Sequence, residues 1–90
     1  MSNKIPLTSA QIRAARALLR WSADDLAHQS LLSVATIRRA ELKEKQTAMT
    51  AANDLAVRLA LEKAGVEFID ENGGGPGVRL RKMTKGRSRN

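Results

Sequence analysis

The chain has no cysteine and a single histidine, His28. A disulfide framework and a thiolate metal site are therefore excluded, and no histidine cluster can be assembled. No metal or other cofactor is expected. Nor is there a His/Cys constellation for nucleophilic or acid–base catalysis, so an enzyme is not expected. Tyrosine is absent too, and the aromatics are Trp21 and Phe68 alone, which leaves aliphatic side chains to build the core. No apolar run approaches the ~20 residues needed to span a bilayer, and the first residues lack a signal-like apolar stretch. A soluble cytoplasmic protein with no membrane partner is expected.

Ninety residues allow one domain. A chain of this size buries somewhat over ~60% of its unfolded surface, so its stability is marginal and a homodimer would supply the missing burial. The formal net charge is +7, which suggests an anionic partner. The charge is unevenly placed: +4 over residues 1–45, −3 over 46–78 and +6 over 79–90. The acidic middle would repel nucleic acid and is expected to face away from it.

The most informative stretch is WSADDLAHQSLLSVATIRRAE, residues 21–41. Ser22 is a good N-cap, and Asp24 and Asp25 follow in the first turn, where the helix dipole favours negative charge. Leu31 and Leu32 mark a bend, and Ser33 is a second N-cap. Ile37 and Ala40 then share one face of a second helix while Arg38 and Arg39 point outward. Two short helices with a break of three or four residues form either an αα-hairpin that only packs a core or a helix-turn-helix whose second helix enters the DNA major groove.

The order of residue types resembles the Xre/Cro/λ-repressor-like helix-turn-helix family. Ser22, Asp24, Asp25, Leu26, Ala27, Leu32, Ser33, Thr36, Ile37 and Glu41 fall on matching positions of its motif, and the resemblance covers roughly residues 8–64. It implies a mainly α fold: a λ-repressor-like bundle of about four helices. It also implies that Val34, Ala35 and Arg39 read bases, that Thr36 and Arg38 contact phosphate or bases depending on docking, and that Arg16 pairs with Glu41. Arg38 is taken with the base-reading set, and Ser22 and Ser33 with Thr36 as phosphate contacts. Three departures stand out. Ala23 replaces a Gln that commonly touches phosphate, Leu31 replaces the Gly of the turn, and the Gly-x-x-x-Pro after the second motif helix is absent.

The chemistry of these residues divides the roles. Val34 and Ala35 can pack on a thymine methyl, and Arg39 or Arg38 can make a bidentate pair with guanine. Hydroxyls of Ser33 and Thr36 can bond phosphate. Lys43 and Lys45, just past the recognition helix (about 33–42), are placed either for the DNA backbone or as a solvated helix end.

Flanking segments complete the domain. Pro6 holds the backbone extended before a first helix that starts at Thr8, where Thr8 and Gln11 form a capping box. Ile12, Ala15, Leu18 and Leu19 make its core stripe, and Arg13, Arg16 and Arg20 a basic ridge. Thr50 caps a later helix whose apolar set is Leu55 and Leu59, with Val57 and Leu61 as further members, and Gly65 ends it as a left-handed cap. Residues 66–82 read as a short C-terminal β-hairpin with Glu67 near Arg79 or Arg81. A lone hairpin is barely stable, so it closes on the bundle within one chain or pairs across two. Val66, Phe68, Ile69, Val78 and Leu80 are the expected dimerisation residues. Residues 83–90 are expected to form a basic, disordered tail.

The expectation is a sequence-specific, nucleoid-associated transcriptional regulator, binding double-stranded DNA as a homodimer on a pseudo-palindromic operator. A second regulatory protein is a possible further partner. The alternative is a protein-interaction module on the same fold, antitoxin- or antiactivator-like.

Overall fold

The computed structural model describes residues 6–42, 47, 49–70 and 73–81. The order is α1 (Ser9–Leu19), α2 (Ala23–Ser30), α3 (Val34–Leu42), α4 (Ala51–Lys63), β1 (Val66–Ile69) and β2 (Gly77–Leu80). The fold is mainly α, with a two-stranded antiparallel hairpin at its C-terminal end.

Each helix starts where a side chain can accept from its first-turn amides. Thr8 Oγ1 accepts from the Gln11 N–H and Gln11 Oε1 from the Thr8 N–H, both at 3.0 Å. Ser22 and Asp25 repeat the arrangement at 3.0 and 2.8 Å. Ser33 and Thr50 cap α3 and α4 through Thr36 N–H and Asn53 N–H. Such caps are worth about 1 kcal/mol each.

The first two helices end in the same way. Arg20 and Leu31 follow α1 and α2 with φ of 58° and 62°. The Arg20 and Leu31 N–H groups donate to Ala17 and His28, and those of Trp21 and Leu32 reach back to Arg16 and Ala27. These are Schellman motifs, whose left-handed position favours glycine. The departure at Leu31 is thus resolved: the turn keeps its left-handed geometry and a leucine occupies it. Leu31 is 89% exposed, so its side chain stabilises little in return. Leu31→Gly is expected to stabilise the fold by about 1 kcal/mol, raising the melting temperature by about 4–8 °C, as read by thermal denaturation.

The core is aliphatic. Leu7, Ile12, Ala15, Leu26, Ala27, Ile37, Ala40, Val57, Leu61 and Val66 are buried, with Leu19, Trp21, Leu32, Phe68 and Val78 packed around them. Four expectations need correction. Leu18 lies at the surface rather than in the α1 stripe. Leu55 and Leu59 are half-exposed, while Val57 and Leu61 take the core-facing side of α4. Ala64 closes α4 in a right-handed conformation, and Gly65 follows it at φ 112°. Val66 is fully buried against the helices, so it has no surface to offer a second copy.

The α4 orientation has a visible cause. Asp54, Val57, Arg58 and Leu61 follow helical spacing and form the inward stripe. Asp54 Oδ1 accepts from the Leu7 N–H at 3.0 Å. Arg58 is 4% exposed, with its guanidinium 5.2 Å from the Phe68 ring centroid and 3.8 Å from Glu62. A cation over an aromatic face is favourable when desolvated, so a charged residue takes a core-side position.

The hairpin closes within the chain. Val66 pairs with Leu80, Glu67 with Arg79, Phe68 with Val78 and Ile69 with Gly77. Arg79 Nε donates to Glu67 at 2.8 Å. Gln11 Nε2 donates to the carbonyls of Ile69 and Gly77, at 3.4 and 3.1 Å, so the capping glutamine of α1 also clasps the hairpin. None of the helices among the described residues is long and apolar enough to cross a membrane.

Candidate nucleic-acid interface

Helix α3 has two chemically distinct sides. Ile37, Ala40 and Glu41 face inward and are buried. Ala35, Arg38, Arg39 and Leu42 recur at helical spacing and are exposed; Val34 and Thr36 lie between. The outward stripe therefore pairs a small residue near the helix start with two guanidinium groups one turn later. Arg39 reaches back toward the Thr36 hydroxyl at 3.5 Å, and Thr36 Oγ1 lies 2.9 Å from Ser33 Oγ.

Polar groups flank this stripe. Ser22 and Ser33 are exposed, and their hydroxyl oxygens accept from backbone amides as caps. A hydroxyl that accepts at its oxygen still carries a proton to donate, so capping does not exclude a phosphate contact. An open cleft of about 340 Å³ lies between α3 and the start of α4, lined among others by Thr36, Arg39, Thr47, Met49, Thr50 and Asn53. Thr47 and Asn53 were not singled out in the sequence; proximity to the cap Thr50 is the only signal that could have marked them. Lys43 and Lys45 lie outside the described residues, as do residues 83–90.

The inward side is held by α1. Arg16 Nε and Nη2 donate to the two carboxylate oxygens of Glu41 at 2.7 and 2.8 Å, and Nη1 donates to the Trp21 carbonyl at 2.9 Å. The hydrogen bond to Glu41 holds the Arg16 guanidinium above its ordinary pKa, against the opposing effect of partial burial. Arg13, expected only as part of a basic ridge, donates to the Glu41 carbonyl, and Ser9 Oγ donates to the Ala40 carbonyl. Neither role was legible, because a side chain bonded to a distant backbone carbonyl leaves no pattern in sequence.

The hairpin residues expected at a dimer interface divide. Val66 is core, Phe68, Ile69 and Val78 are half-buried, and Leu80 is half-exposed. Among the described residues no group of three or more His, Cys, Asp or Glu side chains could hold a metal ion. A scan against models of known protein families gives no match, and a search of curated proteins finds none similar to this chain.

Proposed function

We propose that this chain is a sequence-specific DNA-binding transcriptional regulator of the Xre/Cro/λ-repressor-like type, acting as a homodimer. The observation that carries the reading is the outward stripe of α3. Ala35, Arg38 and Arg39 are presented together, on a helix whose other side is pinned, next to capping hydroxyls suited to phosphate. Arg38 and Arg39 supply bidentate donors for guanine, while Val34 and Ala35 supply apolar contact for thymine. Ser22, Ser33 and Thr36 position the backbone. The mechanism is occupancy of an operator, with each recognition helix in one major groove.

Selection of bound duplexes from a randomised pool tests the proposal. The expected winner is an inverted repeat with half-site centres about 34 Å apart and both T and G in each half. Arg39→Ala is expected to weaken binding to that duplex by about 5- to 150-fold, with little change on a scrambled duplex, as measured by competition titration. Equal weakening on both would reassign Arg39 to phosphate.

A second reading rests on Leu31 and Leu42, which are 89% and 81% exposed near the two ends of α3. Leucines so placed suit a protein partner captured over the same surface. Capture that survives about 0.5 M salt, where phosphate-driven binding collapses, would favour it.

A further inference from the structure

Ser9, Arg13 and Arg16 follow one another at four- and three-residue spacing along α1, and all three bond the C-terminal end of α3. Ser9 takes the Ala40 carbonyl, Arg13 the Glu41 carbonyl and Arg16 the Glu41 carboxylate. Arg16 also bonds the carbonyl of Trp21, immediately before the α2 cap Ser22. The α2–α3 unit is thus closed at one end by the turn at Leu31 and at the other by a side chain of α1. A cation near the C-terminal end of a helix is favoured by the helix dipole. Arg38 and Arg39 stand on the turn that these bonds secure.

We infer that Ser9 and Arg13 are positioning residues for Arg38 and Arg39. Their bonds to the Ala40 and Glu41 carbonyls keep the last turn of α3 helical in the free protein, so that both guanidinium groups are aimed before any duplex arrives. The inference rests on the DNA-binding reading above and adds to it a dependence of base discrimination on α1. Arg13 carries the sharper test, because it is exposed and its substitution spares the core. Ser9 is fully buried, so its loss would also disturb packing.

The experiment compares the parent with Arg13→Met, which keeps an unbranched apolar stem and loses the donors, and with Arg13→Lys, which restores a cationic donor. In the free proteins, amide exchange at Ala40, Glu41 and Leu42 is expected to quicken by about tenfold in Arg13→Met, the loss of one charge-assisted hydrogen bond, with α2 unchanged. On DNA, the affinity ratio of selected to scrambled duplex is expected to fall by about fivefold or more, the least that one good bidentate base contact supplies. The salt dependence on scrambled DNA should stay as in the parent, and Arg13→Lys should recover most of both effects. Unchanged exchange at the end of α3 would overturn the inference. So would a uniform affinity loss with the salt slope reduced by about one, the mark of a phosphate contact. If the parent selects no duplex at all, the DNA reading fails and the inference falls with it. If the parent selects one and Arg13→Met keeps the full ratio, only the inference fails.

Discussion

Glu41→Ala is expected to lower the melting temperature by about 12–24 °C, equivalent to about 3 kcal/mol in a domain of this size. The carboxylate accepts from two nitrogens of Arg16 in a fork-to-fork arrangement, at 2.7 and 2.8 Å. Planar pairing of this kind is the strongest form of charge-assisted hydrogen bond. Removing the acceptor leaves a guanidinium whose side chain is only 22% exposed, facing a site whose carboxylate was 9% exposed. Breaking a buried pair from one side costs about 3–5 kcal/mol. The low end applies because Arg16 keeps some access to water and its bond to the Trp21 carbonyl. The double variant Arg16→Met/Glu41→Leu should recover much of the loss, since replacing both charges strands neither. Melting of Glu41→Ala together with the parent would show that the pair contributes nothing to stability.

The second large effect separates two leucines on one helix. Leu61→Ala is expected to destabilise by about 3 kcal/mol, within the usual range for a fully buried leucine. Leu59→Ala should cost well under about 1 kcal/mol, since surface changes are usually small. Leu61 is fully buried and Leu59 is 54% exposed. Chemical denaturation of both variants decides the matter: the midpoint should fall steeply for Leu61→Ala and barely move for Leu59→Ala. Equal losses would mean that α4 does not turn its Val57/Leu61 face to the core.

That contrast shows what could and could not be read along the chain. Helix starts were legible because a cap needs one oxygen-bearing side chain at one place; Thr8, Ser22, Ser33 and Thr50 all carry it. The faces of α3 were legible because Ile37 and Ala40 alternate with arginines at helical spacing. In α4 the same logic pointed the wrong way. Leu55/Leu59 and Val57/Leu61 are both four-residue pairs, on nearly opposite sides, and the stripe that turns inward includes Asp54 and Arg58. A charged residue on an inward stripe makes sense only when its partners are known, and those come from Leu7, Phe68 and Glu62. The outward arginines of the candidate interface could be named in advance, whereas Ser9, which bonds the end of α3, and Gln11, which clasps the hairpin, could not be assigned their distant bonds. Their partners lie 31 and 58 or 66 positions away, and they are backbone carbonyls, which every residue has.

By itself, then, the sequence determined the helix-turn-helix spacing, the caps, the outward arginines of α3 and the hairpin. These depend on local geometry: a period, a cap or a glycine-rich turn. Only the tertiary structure decided which face of α4 is core, that Val66 belongs to the bundle, and that Ser9 and Arg13 of α1 bond the carbonyls at the end of α3. Those outcomes depend on how distant segments compete to bury the same apolar surface and satisfy the same buried polar groups. That competition is settled by packing in space and not by order along the chain.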